Sequence, residues 1–229
     1  TGSFMIDNIR IYPLIKREEV PEPEPIDTGE YMLTMQSCSL WRAGNHIGWA
    51  LNQVSDPPVK PLLGWYDEGD PVAFDWQIKW LTEHGVNTLL YCWYRYDTGP
   101  GPIKETPNAD ELWGGQLSAN YREYLNFALQ FTNAANSIYG PEDFKENLVP
   151  HWIETYFKNP NYQKTADNEP IIYIYDPTWF RSELGDFNGD GTGNTNADVK
   201  AALDYFREEC IKAGFGGLKI ATEYRGTSE

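Results

Sequence analysis

Short apolar runs alternate with longer amphipathic stretches along most of the chain. Several of the runs are almost continuously apolar, which is typical of strands buried on both faces of a parallel sheet. One further strand is indicated by apolar residues that recur with period two inside YLNFALQFTN. The predicted strands are 31–38, 86–94, the alternating segment within 124–133, 170–177 and 217–222.

Three helical patterns separate these strands. Asp70 is a good N-cap and Pro71 a good first helical residue, and Gly85 ends that helix. A second helix begins at 141–143 and stops at Asn159-Pro160, and a third covers 196–214. The stretch 97–124 is rich in Gly, Pro and Asn and predicts a long, functional loop with at most a short helix.

The alternation of strands and helices predicts an α/β fold with parallel strands and right-handed crossovers. Five strands are too few for a complete eight-stranded barrel, so the pattern fits either an open sheet or an incomplete TIM-type barrel of about five β/α units. Residues 1–13 are predicted to be the last strand of an upstream domain, and the alternating Pro and Glu of 14–30 predict a semi-rigid linker. The α/β unit is predicted to cover 31–229.

Charge and aromatic content narrow the function classes. The formal net charge is −16, from 34 acidic and 18 basic residues, which disfavours nucleic acid as a partner. No apolar run approaches the roughly 18 residues of a membrane span. Cys38, Cys92 and Cys210 lie in apolar surroundings and are predicted to be buried free thiols. Aromatic residues make up 15% of the chain, with nine Trp, as a sugar-stacking cleft requires.

Several ordered blocks resemble a known family. PLLGWYDEGDP, VNTLLYCWYRY, HWIETYFKNPNYQK and EPIIYIYDP are similar to the glycoside hydrolase family 99-like barrels, including the WbsX-like sugar transferases. This resemblance implies a (β/α)8 barrel that acts on glycans with its site at the carboxyl ends of the strands. FMIDNIRIY is similar to the closing strand of carbohydrate-associated β-sandwiches, which implies an upstream carbohydrate-binding domain.

The resemblance also implies substrate-binding residues. They lie just beyond strand one, at the end of strand two, and after strands three and four. Cys92 stands where the family commonly has Asp, and the acidic motif that carries the family's catalytic carboxylates does not occur in this sequence. The implied substrate-binding residues are Trp41, Trp93, Tyr94, Asn133 and Asp176.

Carboxylates that follow predicted strands are candidates for catalysis without reference to any family. Glycoside cleavage generally uses two carboxyl groups, and barrel chemistry is placed at the carboxyl ends of strands. Asp97, Asp176 and Glu223 each follow a strand, and we take Asp176 and Glu223 as the catalytic candidates. Two structural alternatives are open: Asp176 begins a turn before Pro177, and Glu223 pairs with Arg225. For the aromatic residues the alternative is core packing.

The segment DFNGDGTGNTNAD predicts a calcium loop. Acidic and amide side chains stand at alternate positions before a glycine, as in the first half of an EF-hand-like or dockerin-like loop. Asp198 comes one residue later than the standard spacing, and the alternative is a turn that caps the helix at Asn196. The predicted ligands are Asp186, Asn188, Asp190, Thr192 and Asp198.

These patterns lead to an expected function. The chain is expected to be the amino-terminal portion of a secreted, periplasmic or cell-surface glycoside hydrolase that acts on a polysaccharide or glycan, with structural calcium and no organic cofactor. One alternative is a non-catalytic carbohydrate-binding or scaffold protein. The other is a sugar transferase, although no basic or Gly-rich nucleotide-sugar motif is present.

Overall fold

Five parallel strands of the described residues form one sheet, and their order across the sheet is their order along the chain. The computed structural model describes residues 19–38, 41–42, 49, 60–95, 99–104, 109–133 and 136–223. Each strand pairs in parallel with the next one in sequence, so the predicted α/β fold with five parallel strands is confirmed. The strands are β1 (Thr34–Ser37), β2 (Thr88–Trp93), β3 (Asn126–Phe131), β4 (Ile171–Ile174) and β5 (Lys219–Thr222).

The strand order decides between the two α/β architectures. Right-handed crossovers that always step in the same direction place every helix on the same face of the sheet. A doubly wound sheet instead reverses its order at a switch point. The order β1-β2-β3-β4-β5 is therefore that of consecutive strands of a (β/α) barrel, and the described residues supply five of them.

In the part of the chain that the structure describes, four helices flank the strands. Asp70 caps the first helix by accepting a hydrogen bond from the Val72 backbone N–H at 3.0 Å, as its sequence predicts. Within the described residues, no helix combines the length and apolar character needed to cross a bilayer. The helices are α1 (Pro71–Glu83), α2 (140–157), α3 (Pro177–Glu183) and α4 (Asn196–Lys212).

Helix α2 alternates between α and π geometry, in the order Gly140–Asp143 (α), Phe144–Leu148 (π), Val149–His151 (α) and Trp152–Phe157 (π). Pro150 lies in its middle and has no N–H to donate. A wider π turn accommodates such an interruption without ending the helix. The helix therefore continues to 157 and keeps its apolar stripe against the sheet.

The hydrophobic core lies between the sheet and these helices. Side chains at alternate positions of β2, β3 and β4 point into it and meet large rings from α2 and α4. Trp152 contacts the rings of Phe131 and Phe206 at centroid distances of 5.0 and 5.5 Å. The core residues of the strands are Leu89, Tyr91, Trp93, Phe127, Leu129, Phe131, Ile172 and Ile174.

The long stretch between β2 and β3 contains, among its described residues, the short helical segments Glu111–Gly115, Gln116–Ser118 and Arg122–Tyr124. Gly115 lies so close to the start of α1 that an added Cβ would be 2.4 Å from the Glu68 carbonyl oxygen and 2.6 Å from the Phe74 ring. Only glycine permits this approach. The contact holds Glu111 near the turn that precedes α1.

Part of the predicted linker lies along α1. The Tyr121 hydroxyl donates to the Val20 carbonyl at 2.8 Å, and the Ile26 N–H donates to the Thr82 carbonyl at 3.0 Å. Residues 19–28 are thus bound to the α/β unit. The predicted upstream strand at 1–13 lies outside the described residues.

The cysteines differ in their exposure. Cys92 and Cys210 are buried free thiols, as predicted. Cys38 is free but exposed, so the prediction that it is buried was wrong. It follows the edge strand β1, which has only one neighbouring strand among the described residues.

Candidate functional site

The sheet has two chemically different faces. Alternate residues of each strand point to opposite faces, so the side chains between those of the core belong to the face away from the helices. We call this second face the inner face and define it by Gln36, Cys92, Gln130 and Glu223. Since the carboxyl ends of parallel strands share one edge, polar groups from different strands meet there.

A row of polar groups crosses the inner face at that edge. The Gln36 amide donates to the Gln130 side-chain oxygen at 2.6 Å, and the Gln130 amide donates to a Glu223 carboxyl oxygen at 2.7 Å. The Cys92 thiol lies in the same row, 3.3 Å from the Gln36 amide nitrogen. Strands β1, β2, β3 and the end of β5 therefore share one hydrogen-bonded row. Arg225, the alternative partner of Glu223, lies outside the described residues, as does Asp97.

The aromatic pair at the end of β2 divides between the two faces. Trp93 is 5% exposed and packs against Phe131 and Trp152, and its indole N–H donates to the Tyr156 hydroxyl at 3.1 Å. Tyr94 is half-buried, and its hydroxyl lies 3.8 Å from the Cys38 sulfur. We therefore reassign Trp93 to the core and keep the substrate-binding prediction for Tyr94.

The next residue, Arg95, is held on the helix side. Its guanidinium forms a buried ion pair with Asp143 of α2 and donates to the Gly99 and Gly101 carbonyls at 3.1 Å. Although burial raises the pKa of the Asp143 carboxyl, its bonds with Arg95 and two backbone N–H groups hold that pKa below the ordinary value. Arg95 thus anchors the loop after β2.

Asn133 and Asp176 meet, but through groups that build the fold. The Asn133 amide donates to the Asp176 carbonyl at 2.6 Å and accepts from the Asp176 N–H at 2.9 Å. The Asp176 carboxyl accepts from the N–H groups of Thr178 and Trp179, which makes it the N-cap of α3. Asp176 thus has a structural role, although it begins a helix and not the turn named as the alternative. We interpret Asp176 as a helix cap and Asn133 as a link between β3 and β4.

Trp41 lies in an aromatic cluster beyond β1. Its ring is 6.2 Å from that of Trp65 and 5.9 Å from that of Tyr66, and the ring of Trp49 also approaches Trp65. The Trp41 backbone N–H donates to a carboxyl oxygen of Glu68 at 2.6 Å. The family resemblance predicted Trp41, whereas no sequence pattern singled out Trp65, Tyr66 or Glu68.

Glu68 and Glu111 place two carboxyl groups beside this cluster. Glu68 is 4% exposed, and burial is the main reason that its pKa rises from 4.5 to about 7, with the charge of Glu111 adding to the effect. Both oxygens of Glu111 accept from the Ser37 hydroxyl at the end of β1, at 2.8 and 2.9 Å. A carboxyl group with a pKa near neutrality is suited to proton donation or to hydrogen-bond donation.

In the predicted calcium loop, side-chain oxygens accept hydrogen bonds from backbone N–H groups of the same loop. Asp186 accepts from the Asp190 and Gly191 N–H groups, and Asp190 accepts from the Thr192 N–H at 2.8 Å. Asn188 donates to Asp190 at 2.9 Å. These Asx turns leave Asp186, Asn188, Asp190 and the Thr192 carbonyl as the residues that would hold an ion.

Asp198 does not fit the role of calcium ligand. One of its oxygens accepts from the Phe187 and Asn188 N–H groups, and the other accepts from the Thr195 N–H and hydroxyl. The hydrogen bond from the Thr195 hydroxyl, followed by the one from the Thr195 N–H, lowers the pKa of Asp198 to about 2. Asp198 therefore supports the loop and forms a capping box with Thr195, which is the N-cap of α4 in place of the predicted Asn196. In the described part of the chain, no cluster of three His, Cys, Asp or Glu side chains is arranged to hold a metal.

Calcium binding stays a prediction for the reduced set of ligands. Titration with Ca²⁺ in a calorimeter is expected to show one site, and Asp186→Asn together with Asp190→Asn is expected to abolish it. Asp204→Asn on the exposed face of α4 is the matched control. Absence of both heat and thermal stabilisation in the wild type would contradict the prediction.

Comparisons with known proteins give weak likenesses. No family model matches the chain, and no curated protein matches it. A GH99 endo-α-mannosidase from Bacteroides thetaiotaomicron is similar at 16% identity and a TM-score of 0.40, over 74% of this chain and 58% of that one. A second GH99 endo-α-mannosidase structure from that organism, in complex with bis-tris propane, is similar at 15% identity and a TM-score of 0.44, over 75% of this chain and 56% of that one. The chain thus spans less than two thirds of either structure, and at these TM-scores neither likeness assigns a family.

Proposed function

We propose that this chain forms the glycan-binding part of a glycoside hydrolase that acts on a polysaccharide or glycan. The observation that carries this proposal is the row Gln36–Gln130–Glu223 across the inner face at the carboxyl edge. Amide and carboxyl groups both donate to and accept from hydroxyl groups. A row of them next to aromatic rings suits a ligand rich in hydroxyls.

The neighbouring aromatic residues support the same ligand class. Tyr94 follows β2 on the side of Cys38, and Trp41, Trp65 and Tyr66 cluster beyond β1. Aromatic rings present apolar area with polar tips, which matches the apolar faces and hydroxyl rims of sugars. Glu223 is the catalytic candidate from the sequence that still lies in this row.

A non-catalytic carbohydrate-binding protein is the second candidate. It is favoured by Cys92, whose thiol lies 3.5 Å from the Gln130 side-chain oxygen at the place where the resembled family commonly has an acid. The two candidates share the ligand and differ in whether the bond is cleaved. The secreted or surface location and the upstream carbohydrate-binding domain stay predictions from the sequence.

Replacing Tyr94 by alanine is expected to weaken glycan binding about tenfold, which corresponds to about 1.4 kcal/mol of lost contact. The test is calorimetric binding to a panel of soluble mannans, xylans, glucans, galactans and arabinans. Tyr31→Ala is the matched control, since Tyr31 is 77% exposed and precedes the opposite end of β1. We expect Tyr31→Ala to bind as the wild type does.

Two outcomes would count against the proposal. Equal binding by the Tyr94 and Tyr31 variants would remove Tyr94 from the site, and no binding by the wild type to any panel member would overturn the proposed ligand. Release of reducing ends from a bound glycan supports the hydrolase. Binding without release supports the non-catalytic protein.

A further inference from the structure

Two buried polar atoms beyond β1 have no hydrogen-bond partner in the described structure. They are the Oε1 atom of Glu68 and the Nε1 atom of Trp41. The two residues are joined by two hydrogen bonds: the Trp41 N–H donates to Glu68 Oε2 at 2.6 Å, and the Glu68 N–H donates to the Trp41 carbonyl at 3.0 Å. Buried polar groups are normally paired, so two unpaired ones on bonded residues indicate a place where a ligand group binds.

The surroundings of Glu68 favour its neutral form. Burial raises its pKa to about 7, the negative charges of Glu111 and Asp67 act in the same direction, and the Trp41 N–H and Arg42 oppose it. The Tyr66 hydroxyl, whose pKa is itself raised by burial and by both glutamates, carries no charge near neutrality. Near pH 7 a large fraction of Glu68 therefore holds a proton.

The position of that proton follows from the contacts of the two oxygens. Oε2 already accepts from the Trp41 N–H, so the proton resides on Oε1, which then becomes a donor. The Trp41 indole nitrogen can only donate. The two unpaired atoms are thus both donors, and each of them lacks an acceptor.

We propose that Glu68 and Trp41 form a donor pair whose members bind uncharged oxygens of the ligand, with Glu68 in its neutral form. An anionic acceptor is disfavoured by the adjacent Glu111 and Asp67. A sugar hydroxyl or ether oxygen fits, because the rings of Trp65 and Tyr66 lie beside Trp41 for the apolar face of the ring. The sugar class of the ligand rests on the proposed function, while the donor pair rests on these atoms.

The first test requires no ligand. In protein labelled with ¹³C at the glutamate side-chain carboxyl carbon, one carboxyl resonance is expected to titrate with a midpoint near pH 7 and to be absent from Glu68→Gln. Glu208→Gln, on the exposed side of α4, is expected to retain it. A spectrum in which every glutamate titrates below about pH 5.5 would overturn the neutral state of Glu68.

The second test follows the affinity for the tightest-binding glycan of the panel against pH. If only the protonated form binds, affinity falls about tenfold between pH 6 and pH 8. Glu68→Gln keeps a donor without a charge, so it is expected to bind at both pH values without this dependence. Trp41→Phe keeps a ring and loses the N–H, and is expected to weaken binding severalfold with the pH dependence intact.

The outcomes separate this inference from the function on which it depends. A glycan affinity that changes neither with pH nor in the Glu68 and Trp41 variants would overturn the donor pair and leave the proposed function standing. Absence of glycan binding would overturn the proposed function and the sugar as ligand of this pair. In that case the ¹³C titration still decides the protonation of Glu68.

Discussion

Replacement of Trp93 by alanine is expected to lower the free energy of unfolding by about 3–5 kcal/mol, the usual cost of truncating a large buried ring. Trp93 is enclosed by Phe131, Trp152 and the His151 ring at centroid distances of 5.6 to 5.9 Å. The change also removes the donor to the Tyr156 hydroxyl. Urea unfolding followed by circular dichroism measures the loss.

Trp179→Ala is the matched control for this prediction. Trp179 lies on α3 and is 44% exposed, so its truncation is expected to change the free energy of unfolding by at most about 0.5 kcal/mol. Similar unfolding curves for the two variants would show that Trp93 does not belong to the core. Its role as a substrate-binding residue would then be open again.

Replacement of Asp143 by alanine is expected to destabilise the protein by about 3–5 kcal/mol, because it leaves the Arg95 charge buried without its partner. The Arg95 and Asp143 side chains are 0% and 1% exposed. Asp143 also accepts from the Gly101 and Tyr139 N–H groups at 3.2 Å and from Asn147 at 3.0 Å. The loss is measured by urea unfolding at neutral pH.

Asp204→Ala removes a carboxylate from an exposed ion-pair cluster on α4 with Lys200 and Arg207. Exposed pairs contribute about 0–1 kcal/mol, so this variant is expected to unfold almost as the wild type does. A comparable loss in both variants would contradict the assignment of a buried anchor to Asp143. It would instead indicate a general effect of charge on this acidic chain.

The strands and most helices could be predicted because their signals are local. Continuous apolar runs identified β2 and β4, and Asp70-Pro71 identified the start of α1. Helix α3 was missed although Asp176-Pro177 carries the same cap-and-proline signal. That dipeptide directly follows a strand, where a catalytic acid and the start of a turn were the two interpretations and no helix was predicted.

The candidate site was less predictable because it depends on which face and which partner each side chain has. Trp93 and Tyr94 are adjacent in sequence, yet the alternation of the strand sends one to the core and the other toward Cys38. Asp75 lies on a polar stripe of α1 but is buried, where it accepts from the Asn120 amide and the Tyr121 N–H. The periodicity of apolar residues cannot distinguish a single buried acid of this kind from an exposed one.

The burial of Glu68 could not be predicted from the sequence either. It stands in an acidic turn, DEGD, where a solvated surface is the natural interpretation. Gly115 lies close to the Glu68 carbonyl and the Trp41 N–H donates to the Glu68 carboxyl, and both contacts join residues far apart in sequence. Short distances of this kind follow from tertiary packing and cannot be inferred from local pattern.

The claim that a glycan binds at the carboxyl edge of the sheet is tested most directly by ¹H–¹⁵N correlation spectra recorded during titration with the tightest-binding glycan of the panel. We predict progressive shifts of the Trp41 indole N–H and the Gln130 side-chain amide, with the indole signals of Trp152 and Trp179 unchanged. Shifts confined to Trp179 and its neighbours on α3, with Trp41 and Gln130 unmoved at saturation, would contradict it.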